Sequence, residues 1–181
     1  MTAQVQGLAM TAGGWSCSDS RTQVTFSVGH LGRLGHPVQG TVGLRWGEVE
    51  IGSTGAPVRV RAELDLRTLH TGVARRDADL RKPRFLDVDR YPTMTWTADR
   101  FDRADDGRWT ADGLLGVRGT TTPLAVVGTP EPGPAGEGWV RVCGTAVLDR
   151  SAVGIRAPSF FVGRTVRITV DAWLRPAGLR S

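Results

Sequence analysis

Residues 58–66, VRVRAELDL, alternate apolar and charged side chains almost without interruption. Val58, Val60, Ala62, Leu64 and Leu66 take one side; Arg59, Arg61, Glu63 and Asp65 take the other. A strand turns successive side chains to opposite faces, so this period of two specifies an extended segment with one dry and one wet face. A helix would scatter the same residues around its circumference. The pattern recurs along the chain. Val24, Phe26, Val28 and His30 share a face in QVTFSVGH, and Val42, Leu44 and Trp46 share one in TVGLRW. Met94, Trp96 and Ala98 align in TMTWTA, and Trp109, Ala111, Gly113, Leu115 and Val117 align in RWTADGLLGVRG. TPLAVVG, WVRVCGTAVL and TVRITVDAWL complete a set of eight, with Val142, Val166, Ile168 and Val170 on expected inner faces.

Half-wet strands belong to antiparallel sheets, because buried parallel strands read as continuous apolar runs. The turn formers GSTGAP, RADDGR and PEPGPAGEG separate the segments. The 24 Gly and 10 Pro among 181 residues fit many short strands. The one helical candidate, GVARRDADLRK, is expected to stop at Lys82, because a residue before proline is pushed out of the helical region. The expected fold is all-β: a single antiparallel eight-stranded barrel with one short helix or cap segment. A β-sandwich shares its strand count. A barrel of this size is either just filled by side chains or holds one small ligand. Residues 1–14 read as an extension, 15–175 as the barrel domain and 176–181 as a tail.

The net charge of +5 favours anionic partners, but acidic residues interleave with the arginines, so no nucleic-acid stripe emerges. Cys17 and Cys143 stand outside any CxxC and are expected to be reduced thiols. The opening MTAQVQGLAMTAGGW has neither a basic leader nor a long apolar stretch, and no segment reaches the ~20 apolar residues of a membrane span. The expectation is a cytoplasmic protein without stable membrane insertion. P-loop, GxGxxG, GxSxG and HExxH motifs are missing. Neither a cofactor nor a metal is expected, since His36 and His70 lack neighbouring ligands in the sequence. His30 shares an apolar face, so it is either a buried, hydrogen-bonded histidine or the polar anchor of a ligand headgroup.

Several segments carry a resemblance in order and spacing. These are TFSVGHLGRLGHPVQGTVG; LDLRTLHTGVARRDADLRKPRFLDVDRYPTMTW; DGLLGVRGTTTPL; AVLDRSAVGI; and VGRTVRITVDA. Together they resemble the YceI-like, polyisoprenoid-binding family of lipocalin-like barrels over about residues 15 to 174. The family's Asp-x-x-His-Ser reads here Asp19, Ser20, Arg21, Thr22, Gln23, without the histidine, and Val153 replaces an aromatic residue. The resemblance implies an extended barrel with a long apolar tunnel that carries an isoprenoid, an isoprenoid quinone or a fatty-acid-like lipid. It makes a homodimer plausible. It places residues 74–87 at the barrel mouth, with Phe85 and Leu86 as the underside of a cap. The ligand-binding set is then Phe26, Val28, His30, Val42, Leu44, Trp46, Leu64, Phe85, Met94, Trp96 and Phe160. Arg76, Asp77, Arg81, Arg118, Asp149 and Arg150 are expected as structural tethers, with no catalytic residue. Asp77 can pair with Arg81 on one helical face for about 0.3–0.5 kcal/mol, or Arg76 or Arg81 can reach Asp149 or Asp87. Two other readings stand beside the carrier. One is an enzyme that shapes a polyketide or terpenoid, with His30 or an acid as proton donor. The other is a filled-core stress or structural protein.

Overall fold

A computed structural model of the chain describes residues 10–29, 37–134, 138–156 and 163–178. Within them lie β1 (Gly13–Cys17), β2 (Gln23–Val28), β3 (Val38–Ile51), β4 (Pro57–His70), β5 (Thr93–Arg103), β6 (Trp109–Val117), β7 (Thr120–Pro132), β8 (Val140–Asp149) and β9 (Thr165–Pro176). The helix α1 (Ala74–Arg81) joins β4 to β5, and a 3₁₀ turn, Arg150–Val153, joins β8 towards β9. Neighbouring strands are antiparallel in the order β3-β2-β9-β8-β7-β6-β5-β4, and β4 pairs back onto β3. The ring therefore closes, which removes the open edges of a flat sheet.

β1 is the strand that alternation did not reveal. It and β2 form two halves of one stave. β1 pairs with Glu48–Ile51 of β3 and Leu174–Pro176 of β9; β2 pairs farther along the same two strands, with Val38–Val42 and Val166–Asp171. The nine strands thus build eight staves, one of them interrupted between Cys17 and Gln23. The interruption is tied to β9: Ser18 N–H donates to the Trp173 carbonyl and Trp173 N–H to Thr22 Oγ1. Met10 is buried and Gly13 already lies in β1, so the barrel begins before residue 15.

Two apolar clusters form, one towards each end. Beside α1, Leu66, Leu69, Leu86, Val117, Leu148 and Val153 are among the buried residues; at the far end are Met10, Trp15, Ile51, Val140 and Leu174. The charged face of β4 points outward. Arg59, Arg61 and Glu63 meet Glu50, Glu48 and Arg45 of β3 across the ladder. Such exposed pairs contribute at most about 1 kcal/mol each; burial of the opposite face fixes the register, because a one-residue slip would invert it.

Regular pairing breaks at several points of these ladders, and one break moves Trp46. Leu44 pairs with Leu64, but Trp46 pairs with Glu63 and Gly47 with Ala62. The extra residue, Arg45, is a bulge that reverses the parity of β3. Trp46 therefore stands on the outer face and is 41% exposed, contrary to its expected place inside. The helix keeps its expected end: Lys82 has extended angles (φ −65, ψ 158) ahead of Pro83.

Candidate functional site: an apolar cavity under a charged cap

The barrel is hollow at its α1 end. A cavity of about 520 Å³ is lined by Val24, Phe26 and Val28 of β2, Val38 and Val42 of β3, Leu64, Leu66 and Leu69 of β4, Met94 of β5, Leu148 of β8, and Val166 and Ile168 of β9. Leu80, Phe85 and Leu86 close over it from the cap segment. The volume falls within the ordinary range for small-molecule sites. Its walls follow from period two: each stave sends every second, apolar residue inward. Charge reaches the cavity from Arg75, Arg76, Asp79 and Arg84 on the cap segment and from Arg150. A filled core, one of the readings above, does not fit this interior.

The cap is fastened by a polar network that the sequence did not disclose. Asp77 is buried, and its carboxylate accepts from Thr71 N–H at 2.9 Å, Thr71 Oγ1 at 2.5 Å and His70 Nδ1 at 3.1 Å. The Thr71 hydroxyl bond, then the Thr71 amide and His70, hold the Asp77 carboxyl below the usual carboxylate range. Arg76 donates to Thr71 Oγ1 and its carbonyl, and Arg81 to the carbonyls of Arg67 and Leu69. These bonds replace the Asp77–Arg81 pair, and the reach of Arg76 or Arg81 to Asp149 or Asp87, anticipated above. The spacing of residues 77 and 81 was compatible with pairing, but the end of β4 brings His70 and Thr71 closer to the carboxylate.

Other tethers join the 3₁₀ turn to the cap. Arg118 donates to the Gly154 and Pro83 carbonyls at 3.1 and 3.0 Å. It can do so from a tight β6–β7 turn in which Arg118 and Gly119 have φ of 53° and 70°, the pattern of a type I′ hairpin. Asp149 accepts from Ser151 N–H and Oγ and pairs with Arg164. Arg150 is buried and donates to the carbonyls of Gly163 and Ile155. Asp79 is held by Lys82 at 2.6 Å, which, with Arg84 and Arg75 nearby, lowers its pKa.

Of the expected ligand-binding set, the structure brings Phe26, Val28, Val42, Leu64, Phe85 and Met94 to the cavity wall. Leu44, the cross-strand partner of Leu64, and Trp96 are outside the lining, and Trp46 is on the outer surface. His30 and Phe160 lie outside the described residues. The lining also includes Val24, Val38, Leu66, Leu69 and Leu148, which the expected set omitted. Their signal was present: Val24 shares the parity of Phe26, and Leu66 that of Leu64. Among the described residues no group of three His, Cys, Asp or Glu is placed to hold a metal ion, and no helix is long and apolar enough to cross a membrane.

A closed antiparallel barrel enclosing an apolar cavity under a helical cap defines a class of small β-barrel proteins. Within that class this chain belongs to the YceI-like domain family, whose model matches residues 15–174. BcnA of Burkholderia cenocepacia is similar in structure, with a TM-score of 0.76 and 15% identity over 87% of this chain and 98% of that one. A polyisoprenoid-binding domain from Saccharophagus degradans, implicated in plant cell wall breakdown, gives 0.67 and 10% over 90% and 98%. The YCEI protein of Campylobacter jejuni gives 0.63 and 13% over 78% and 85%. At these identities the likeness is one of fold. No curated protein matches the chain.

Proposed function

We propose that this protein binds and carries a single-chain amphiphile, isoprenoid or fatty-acid-like, with its tail in the cavity and its polar end at the cap. The observation that carries this reading is the separation of chemistry within the site: apolar walls below, and charge concentrated on the cap segment. Each methylene moved from water into such walls contributes about 0.8 kcal/mol, so a tail binds without many polar contacts. Arg75 at the rim suits an anionic or strongly polar end; Arg84 faces Asp79 at 3.6 Å and Arg76 is engaged with Thr71. The family, and the polyisoprenoid-binding domain that shares the fold, support the same ligand class. A carrier is favoured over an enzyme because the one carboxylate among the described lining residues, Asp79, is ion-paired at the cap rather than free in the cavity. Unpaired thiols at Cys17 and Cys143 favour a cytoplasmic setting.

Titration of the delipidated protein with farnesol and with palmitate tests the proposal. We expect saturable binding of one chain per protomer, and its loss in Ile168→Trp, which fills the cavity from β9. An Ile168→Trp variant that folds and still binds normally would refute it.

A further inference from the structure

The outer face of the cap is cationic, and its carboxylates are turned away from it. Residues 73–86 hold five basic side chains, Arg75, Arg76, Arg81, Lys82 and Arg84, and two acidic ones, Asp77 and Asp79. This short segment therefore carries three of the chain's five net positive charges. The fold sorts them. Ala74, Arg75, Ala78, Arg81 and Lys82 are exposed, a spacing of i, i+1, i+4, i+7 and i+8 that groups them on one helical face. Asp77 is buried beneath that face and Asp79 is half-buried. Asp79 meets both Lys82 at 2.6 Å and Arg84 at 3.6 Å, so one carboxylate stands against two cations. The Arg81 guanidinium donates to the Arg67 and Leu69 carbonyls, which leaves its charge in place.

This face adjoins the cavity. Val73, Arg75 and Arg84 are lining residues that are also exposed, Val73 by 46%. The Arg84 guanidinium lies 5.0 Å from the ring centroid of Phe85, itself a wall residue. Apolar wall and cationic surface thus meet at one rim. An anionic bilayer presents the complementary arrangement, with phosphates outside and acyl chains beneath. Each basic residue brought to such a surface adds to the attraction, and an exposed apolar side chain such as Val73 can enter the boundary between headgroups and acyl chains. A tail that left the cavity through water would hydrate every methylene; a bilayer held against the rim removes that step. We infer that the protein docks cap-first on anionic lipid bilayers, with the outer face of α1 on the headgroups, and that its ligand passes between membrane and cavity by contact. The inference rests on the carrier reading and adds the surface that supplies and receives the ligand.

The test measures co-sedimentation of the delipidated full chain with vesicles of phosphatidylcholine, alone or mixed equally with phosphatidylglycerol. The anionic vesicles should be bound at least tenfold more tightly. Ala74→Glu/Ala78→Glu puts two carboxylates on the outer face without altering a lining residue. It should weaken that binding at least tenfold and change palmitate affinity in vesicle-free solution by less than threefold. Ala78→Glu alone, with at least a threefold loss expected, covers the case in which the double variant does not fold; thermal melting identifies that case. Ser53→Glu/Thr54→Glu adds the same charge to the exposed β3–β4 turn and should leave vesicle binding within threefold. Transfer of a fluorescent sixteen-carbon fatty acid from protein to anionic vesicles should quicken in proportion to vesicle concentration. No vesicle binding, equal binding to both vesicles, undiminished binding by a folded cap variant, an equal loss in the turn variant, or a transfer rate indifferent to vesicle concentration overturns the docking and leaves the carrier standing. Tighter binding to polyglutamate than to the anionic vesicles does so too, and assigns the face to an acidic protein. Absence of palmitate binding in vesicle-free solution overturns the carrier reading itself.

Discussion

Cys17 shows at the level of one side chain how burial controls chemistry. It packs against the far apolar cluster, and burial pushes its thiol up to about 12. The thiolate is the reactive form, so at pH 8 only about one molecule in ten thousand is poised to react. Cys17 should resist iodoacetamide in the native protein and react once the barrel opens, which peptide mass spectrometry after timed alkylation will show. Prompt native labelling would mean that the far end is not sealed. Leu66 is the corresponding test of the upper core. It is 1% exposed and borders the cavity, so Leu66→Ala should destabilise by about 2–5 kcal/mol in denaturant unfolding. Trp46 predicts the reverse: on the outer face, Trp46→Ser should leave the unfolding midpoint nearly unchanged and tail binding intact.

At the scale of elements, the cap and its fasteners matter most. Asp77→Asn removes the charge that Thr71 and His70 hold, so α1 amides should exchange hydrogen faster and a bound tail should leave faster. The wild-type cap should loosen in acid for the same reason. Because the folded Asp77 pKa is lowered, its stabilisation is complete above the ordinary carboxylate range and is lost as pH falls through the lowered value. Protection of the α1 amides, corrected for intrinsic exchange, that stays constant as pH falls through and below the ordinary carboxylate range would remove Asp77 from this role. Arg118→Gly should keep the β6–β7 turn, since both central residues have positive φ, yet lose the bonds to Gly154 and Pro83; Arg118→Ala should lose the same bonds and keep the left-handed strain. Comparing their melting temperatures separates turn from tether. The strands were legible because burial of one face writes period two into the sequence. β1 escaped notice because its five residues, GGWSC, are too few and too glycine-rich to show alternation. The bulge at Arg45 did leave a mark: the apolar parity moves from Val42 and Leu44 to Val49 and Ile51, with Glu48 and Glu50 taking the other side. The Asp77 network depends on a turn that brings His70 and Thr71 back onto α1, and linear spacing carries no record of that turn.

For the molecule as a whole, the two ends of the barrel have different tasks. The far end is closed by Met10, Trp15, Ile51, Val140 and Leu174, and the α1 end keeps a hollow under a fastened cap. Alternation alone left a hollow barrel, a filled one and a sandwich open; closure of β3 onto β4 and the cavity decide for the first. The family was readable from ordered motifs, whereas the hydrogen bonds that fasten the cap were not. The central claim is that an apolar tail enters this hollow rather than adsorbing to the outside. Photo-crosslinking with a sixteen-carbon fatty acid bearing a diazirine near its tail end tests it most directly, with the adducts mapped by peptide mass spectrometry. The account predicts adducts on Val42, Leu64, Met94 and Ile168. Adducts concentrated on the exposed Trp46, Val58, Leu114 and Val147 would contradict it.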